Sequence, residues 1–322
     1  MTEGRAPRVL VTSRSFGGGG TDFAAELDAA GYEVVRSGPA HDLDELAELL
    51  PTVDGWIAGT GPVSAAHLDL APALRVVARY GVGIDKVDVA AAAERGVVVT
   101  NTPGANSAAV AEHTVALVLA ALRGIPAADR RVRAGDWSGW QARELSALTV
   151  GVLGLGRIGR LVIQRLGGFG PRLLGADPWV AADDPIYETV EPVSADDLAQ
   201  ECDVVTLHAP GGQTVVDEAW LAASDRPVVL VNTARADLID EDAVAAALRS
   251  GRVWAYAADT LATENHGEGA SPLLAPDLAD SVIVTPHLAA QTREGVDGMG
   301  GMATADLRAV LEGREPRHPV VP

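Results

Sequence analysis

This 322-residue chain has one cysteine, one lysine and few aromatics, and each scarcity narrows what it can be. With Cys202 alone, an internal disulfide, a cysteine-based zinc cluster and a redox pair of cysteines are all excluded, and a buried, inert thiol is expected. Lys86 is the only lysine, which removes most Schiff-base and lysine-base mechanisms. No uninterrupted run approaches the roughly 18 apolar residues that span a bilayer, and Met1-Thr2-Glu3-Gly4-Arg5 opens no signal-peptide pattern. A cytoplasmic protein is expected. Positive charge is also scarce: 25 basic against 44 acidic side chains leave −19, which repels nucleic acid and anionic membranes. That field slows capture of any anionic ligand unless the cleft is locally positive, so arginines inside motifs matter most.

What the chain has in abundance is alternation. Short β-branched runs at Arg8 to Thr12, Tyr32 to Arg36, Gly55 to Ala58, Val76 to Ala78 and Val97 to Val99 are separated by Ala/Leu/Glu-rich stretches of helical period. Strands recur at Val150 to Leu153, Leu173 to Ala176, Val204 to Leu207, Val228 to Val231, Val253 to Ala258 and Val282 to Val284. The βαβα order predicts parallel sheets covered on both faces, and the length suggests two domains. Between the two series the apolar positions from Asn106 to Arg133 circle most of a helix, so one long buried connector is expected there, with His113 a satisfied core histidine. A helix from Ala290 through Leu311 and a Pro-rich tail close the chain.

The strand at Val150 runs directly into Gly154-Leu155-Gly156-Arg157-Ile158-Gly159, and Asp177 follows the next apolar run. Strand, G-x-G-x-x-G turn, helix and a later acid form a complete dinucleotide-binding unit. Gly154 permits the tight turn, Gly156 lets backbone approach a pyrophosphate, and Gly159 allows close helix packing. A carboxylate at Asp177 accepts from both ribose hydroxyls and repels a 2′-phosphate, which favours NAD over NADP. Gly17-Gly18-Gly19-Gly20 lacks the spacing and the Lys-Ser/Thr of a P-loop and is expected to be a plain turn.

In open α/β sheets ligands sit beyond the carboxyl ends of the strands. Four strands end in polar groups: His208 after Leu207, Arg235 after Val231-Asn232-Thr233-Ala234, Asp259 after Ala258, and His287 after Val284-Thr285-Pro286. Asp85 and Asp88 have no accompanying acid or histidine cluster and are expected to cap turns or helices, so no metal site is expected.

Arg79-Tyr80-Gly81-Val82-Gly83-Ile84-Asp85, Asn101 to Asn106, the glycine motif, Asn232-Thr233-Ala234-Arg235, Asp259, Glu264 and Thr285-Pro286-His287 together resemble the D-isomer-specific 2-hydroxyacid dehydrogenases, in the phosphoglycerate-dehydrogenase-like branch. The resemblance runs over nearly the whole chain. It implies two doubly wound domains, a flavodoxin-like substrate domain over 1–102 and 290–322 with a Rossmann NAD domain inserted over 103–289. It implies NAD-dependent hydride transfer to or from a small 2-hydroxy or 2-oxo acid, with Arg235, Glu264 and His287 as the catalytic set. Arg235 would orient the substrate and Glu264 would pair with His287, the acid–base. Gly154, Gly156, Arg157, Ile158, Gly159, Asp177, His208, Ala209, Thr214, Thr233 and Asp259 would hold the cofactor, Asp259 at the nicotinamide carboxamide. Arg79, Val82, Gly83 and Asn106 would meet the substrate. A homodimer built through Asn106 to Trp140 is also implied.

Three features depart from the family pattern. Ala236-Asp237 replaces the usual Gly-Gly after the arginine, the 209–227 segment is shortened around Gly211-Gly212-Gln213-Thr214, and Ala58-Gly59-Thr60 stands where better-known phosphoglycerate dehydrogenases carry a phosphate-binding arginine. Arg14 with Ser13 or Ser15 offers other contacts for a phosphorylated or phosphonate substrate such as 3-phosphoglycerate, which stays open at this point. An NAD(H)-sensing protein of corepressor type and a formate- or phosphite-type dehydrogenase are the alternatives.

Overall fold

The computed structural model describes residues 5–224, 226–263 and 271–321. Glu264, expected in the catalytic set, lies outside the described residues. The chain divides into two compact units, Met1–Ala109 with Ala290–Pro322, and Val110–Ala289.

In the first unit the β-branched runs form β1 (Arg8–Val11), β2 (Glu33–Arg36), β3 (Gly55–Ala58), β4 (Val76–Arg79) and β5 (Val98–Thr100). They pair in the order β2-β1-β3-β4-β5, every pair parallel. Buried Trp56, Val77 and Leu46 pack on one face of this sheet, and Val11, Ile57 and Leu307 on the other. Asp22, Asp42 and Asp88 each accept first-turn N–H groups of the helix that follows, so Asp88 is a cap as expected. Helix Arg293–Leu311 packs against β3 and β4. The Pro-rich tail is tied down as well. Buried Asp306 accepts from Arg317 N (2.7 Å) and His318 Nδ1 (2.8 Å), and Val320 N donates to Val99 O on β5 (2.8 Å).

The second unit holds β6 (Thr149–Leu153), β7 (Arg172–Ala176), β8 (Glu191–Pro192), β9 (Val204–Leu207), β10 (Val228–Asn232), β11 (Val253–Ala258) and β12 (Val282–Val284). Their order is β12-β11-β10-β9-β6-β7-β8, again all parallel, so strand order reverses between β6 and β9. Leu174, Val205, Leu230 and Tyr256 face one apolar layer; Val150, Val152, Val204 and Val231 face the other. Burial on both faces explains why these strands read as continuous apolar runs. The reversal leaves a crevice at the carboxyl ends of β6 and β9, where an open sheet takes its ligand.

The expected single connector is two helices, Ser107–Arg123 and Ile125–Arg133, bent by 59°. Gly124 adopts φ 59°, a left-handed conformation that ends the first helix, and the Trp140 ring lies against the glycine where a Cβ would stand. Arg131 stacks over that ring at 5.0 Å. From Val132 to Glu144 every residue is exposed, Trp137 to 82%. No single helix among the described residues is long and apolar enough to cross a membrane.

Candidate active site

The glycine turn shows why it tolerates no side chain. Gly154 sits at φ 93°, and a Cβ there would stand 2.6 Å from the carbonyl carbon of His208. Gly159 presses so closely on the Gly154 carbonyl that a Cβ would overlap it. At Gly156, by contrast, a Cβ would meet nothing within 4 Å, so the turn opens to solvent where the helix Arg157–Gly167 begins. The first-turn N–H groups of Arg157 and Ile158 have no intrahelical acceptor and face an anion favourably. Arg157 is exposed at that end. Asp177, one residue past β7, accepts from Leu155 N (2.8 Å) and Trp179 N (2.9 Å). One bond to each oxygen fixes the carboxylate and leaves lone pairs for ribose hydroxyls. The open floor at Gly156, the packed flanks and a fixed acid fit a dinucleotide pyrophosphate and an unphosphorylated ribose.

Arg235, Asp259 and His287 follow three neighbouring strands. Asn232 pairs with Ala258, and Ala258 with Val284, so the three side chains leave the sheet from adjacent ends. Buried Asn232, legible beforehand only as a member of the motif, shapes the first turn: its Nδ2 donates to Arg235 O (2.8 Å) and its Oδ1 accepts from Ala234 N (3.0 Å). Thr233 Oγ1 is bonded to Thr114 Oγ1 at 2.7 Å and is buried.

Asp259 has a task beyond the one expected of it. It is 2% exposed, and its carboxylate accepts from Thr285 Oγ1 (2.5 Å), Leu288 N (2.9 Å) and Ala289 N (2.8 Å). It therefore staples the turn that carries His287. Thr285 spends its proton on Asp259, so His113 Nε2, 2.9 Å from Thr285 Oγ1, is the donor in that pair. Half-buried His113 is thus satisfied and supports the same turn. His287 is exposed and sits at φ 51°, held there by its N–H bonding Asp259 O (3.0 Å) and Thr285 O (2.9 Å). A non-glycine residue in that region marks a conformation that the surroundings enforce.

His208, expected to line the cofactor, reaches the glycine turn through its backbone, while its ring bonds within the unit. Its Nε2 pairs with Thr206 Oγ1 (2.9 Å), while Nδ1 is inaccessible and meets no partner among the described residues. Burial pushes its pKa down to about 3, so the ring is neutral. Its backbone, with that of Ala209, packs on Gly154. Thr214 Oγ1 donates to Asp237 O (3.0 Å).

In the first unit, Arg79, expected to meet the substrate, holds the backbone around it. Its Nε donates to Gly83 O (2.9 Å) and its Nη1 to the carbonyls of Ala58, Gly59 and Tyr80. Asn101 Nδ2 holds Val82 O (2.8 Å). With both carbonyls fixed, the N–H groups of Val82 and Gly83 have no acceptor among the described residues. Asn106 Oδ1 is buried and likewise without a partner there.

A family model described as D-isomer specific 2-hydroxyacid dehydrogenase, NAD binding domain, matches residues 115–289. The chain is 41% identical over 278 residues to a D-3-phosphoglycerate dehydrogenase of Mycobacterium tuberculosis, a match that takes in 84% of this chain and 52% of that one. It therefore spans about half the length of such relatives. It is 35% identical over 271 residues to a glyoxylate reductase of Thermofilum pendens, covering 80% of this chain and 78% of the other. A solved structure from Thermus thermophilus superposes with a TM-score of 0.87 at 34% identity, over 98% of this chain and 100% of that one. The glycine turn, the fixed Asp177 and these matches agree: the chain carries an NAD-binding Rossmann domain and belongs to the D-isomer-specific 2-hydroxyacid dehydrogenase family.

Proposed function

We propose that the protein interconverts small 2-oxo acids and D-2-hydroxy acids, taking glyoxylate or hydroxypyruvate ahead of phosphorylated analogues. The observation that carries this reading is the adjacency of Arg235, Asp259 and His287 at neighbouring strand ends beside the Gly154–Gly159 turn. When bound, NADH supplies the hydride. Arg235 offers a planar fork of donors to the carboxylate and carbonyl oxygen of the oxo acid, orienting and polarising it. An imidazole nitrogen of His287 gives a proton to that carbonyl oxygen in reduction and takes it back in oxidation. Glu264 is assigned to pair with His287, favouring the charged imidazolium. In the first unit, the donors of Val82 and Gly83 are assigned to a carboxylate.

The preference against phosphate rests on the first unit. Gly59 is buried against Thr12, its carbonyl is taken by Arg79, and no cation stands at 58–60. NADH oxidation is followed with glyoxylate, hydroxypyruvate, phosphohydroxypyruvate and phosphonopyruvate. Hydroxypyruvate is expected to exceed its phosphate ester in kcat/KM by at least about tenfold, the worth of one unmatched charge. The reverse order would assign the phosphate to exposed Arg14 and its neighbours Ser13 and Ser15. Tight NADH binding with no turnover on any acid, formate or phosphite would move the reading to an NAD(H) sensor.

A second copy of this chain is the partner we assign to the exposed arm, where Ile125, Val132 and Trp137 present apolar surface. Light scattering is expected to read twice the 33.2 kDa of one chain; a single-chain mass at micromolar concentration refutes this.

A further inference from the structure

We propose that Asp237 is a positioning residue for Arg235, latching the shortened Gly211–Gly212 turn against the arginine's stem. The proposal rests on the reading of Arg235 as the substrate-orienting group. Two departures from the family pattern, the acid two residues after Arg235 and the short segment after β9, meet here. Gly212 N donates to Asp237 Oδ2 at 2.7 Å, and Thr214 Oγ1 donates to the Asp237 carbonyl at 3.0 Å. The zipper continues: Val215 N and Val216 N both donate to Leu238 O (2.9 and 3.0 Å), and Asp240 N returns a bond to Val216 O (2.9 Å).

Gly211 is the hinge pin of this arrangement. A Cβ on it would lie 2.8 and 3.0 Å from the two carboxylate oxygens of Asp237 and 3.1 Å from Arg235 Cγ. The acid and the aliphatic stem of the arginine therefore both press on the side of the turn where a Gly211 side chain would stand, and leave no room for one. Arg235 leaves its own turn from a backbone fixed by Asn232, and its Nη1 donates to Ala234 O (2.9 Å). Those bonds fix the base and one branch of the side chain. The Gly211 wall limits the torsions between them. An arginine is rich in rotamers, and every rotamer frozen before the ligand arrives is entropy not lost on binding. A shorter loop held by a charge-assisted bond does what a longer loop would do by its own packing. Asp237 itself is exposed, so removing its carboxylate leaves the core of the unit untouched.

The test uses the full chain, NADH and glyoxylate or hydroxypyruvate. Asp237→Ala is expected to raise KM for the oxo acid about tenfold, with kcat reduced less than about threefold and NADH affinity by intrinsic fluorescence within about twofold. Asp237→Asn, whose amide oxygen still accepts from Gly212, is expected to keep KM within about threefold of the parent. In an Arg235→Lys background, Asp237→Ala is expected to add less than about twofold, because its effect runs through the arginine. An unchanged KM in Asp237→Ala, an equal loss of NADH affinity, or a full tenfold effect surviving in the Arg235→Lys background would each overturn the latch. Wild-type efficiency in Arg235→Lys alone would instead remove the assignment of Arg235 beneath it.

Discussion

Replacing Arg235 by lysine is expected to lower kcat/KM for the oxo acid roughly 30- to 1,000-fold, or about 2–4 kcal/mol of transition-state stabilisation, while leaving NADH affinity within about twofold. The substitution keeps the positive charge, so the loss isolates geometry. Arg235 already gives Nη1 to Ala234 O (2.9 Å), which sets one edge of the guanidinium. A lysine ammonium is a single strongly hydrated point at the end of a flexible stem, and it cannot grip two oxygens of one planar group in fixed register. The Asn232 side chain bonds to backbone atoms, Arg235 O and Ala234 N, and those bonds survive the change, so the turn itself is not disturbed. NADH affinity is the internal control, because Gly154, Gly156, Gly159 and Asp177 lie on the other side of β9 in the sheet. Steady-state rates with NADH and the preferred oxo acid decide it. Efficiency unchanged by the substitution would take Arg235 out of the chemistry.

The parts of this molecule that were legible in advance are those whose signal is local. The glycine turn declares itself because strand, turn and helix are contiguous, and because backbone conformation at Gly154 and contact at Gly159 both demand the same residue. The strand-end residues were legible because parallel strands of one sheet deliver their next residues to one edge. The failures have physical causes as well. Strand β8 is two residues long, one of them Pro192, and offers no β-branched run to read. The connector's apolar positions continue past Gly124 and so predict one helix; the break depends on that residue's φ of 59° and on Trp140 folding back over it. The docked tail depends on Asp306, a buried carboxylate whose partners Arg317 and His318 lie more than two helical turns further along the chain. Direction is the other thing a sequence withholds. Arg79 and His208 stand where ligand contacts were expected, yet one spends donors on four carbonyls and the other turns its ring inward. Asp237 could be noticed as an unusual residue but not understood, since the N–H that explains it is 25 positions away.

Acid is expected to loosen each unit through a buried neutral histidine. His41 lies in the first unit, is 2% exposed and takes φ 58°, with Nε2 2.6 Å from Thr12 Oγ1 and Nδ1 3.0 Å from Pro62 O. Thr12 Oγ1 also accepts from Trp56 Nε1 (2.9 Å) and Gly59 N (3.2 Å), so its own proton goes to His41 Nε2 and the ring carries hydrogen on Nδ1. A second ring proton would point at a hydroxyl with no lone pair to spare. Burial, and secondarily the nearby positive charges of Arg79, His67 and Lys86, lower the His41 pKa from 6.5 to about 4; burial lowers that of His208 in the second unit to about 3. Both folded values lie below the unfolded one, so the unfolded chain takes up protons first as pH falls. Stability is therefore complete above about pH 6.5 and declines below it, by about 2–3 kcal/mol per histidine on reaching pH 4.5. Urea unfolding at pH 7.5 and 4.5 measures the difference. Exposed carboxylates also titrate in this window, and the variant His41→Asn separates them: asparagine tolerates the positive φ, cannot be protonated, and should shrink the pH-dependent loss in the first unit by about 2–3 kcal/mol. The consequence reaches the Val82–Gly83 loop of the same unit, because Thr12 anchors the Gly59 N–H while Arg79 holds the carbonyls of Gly59 and Gly83. An acid-induced weakening identical in the parent and in His41→Asn would show that this histidine is not the sensitive group.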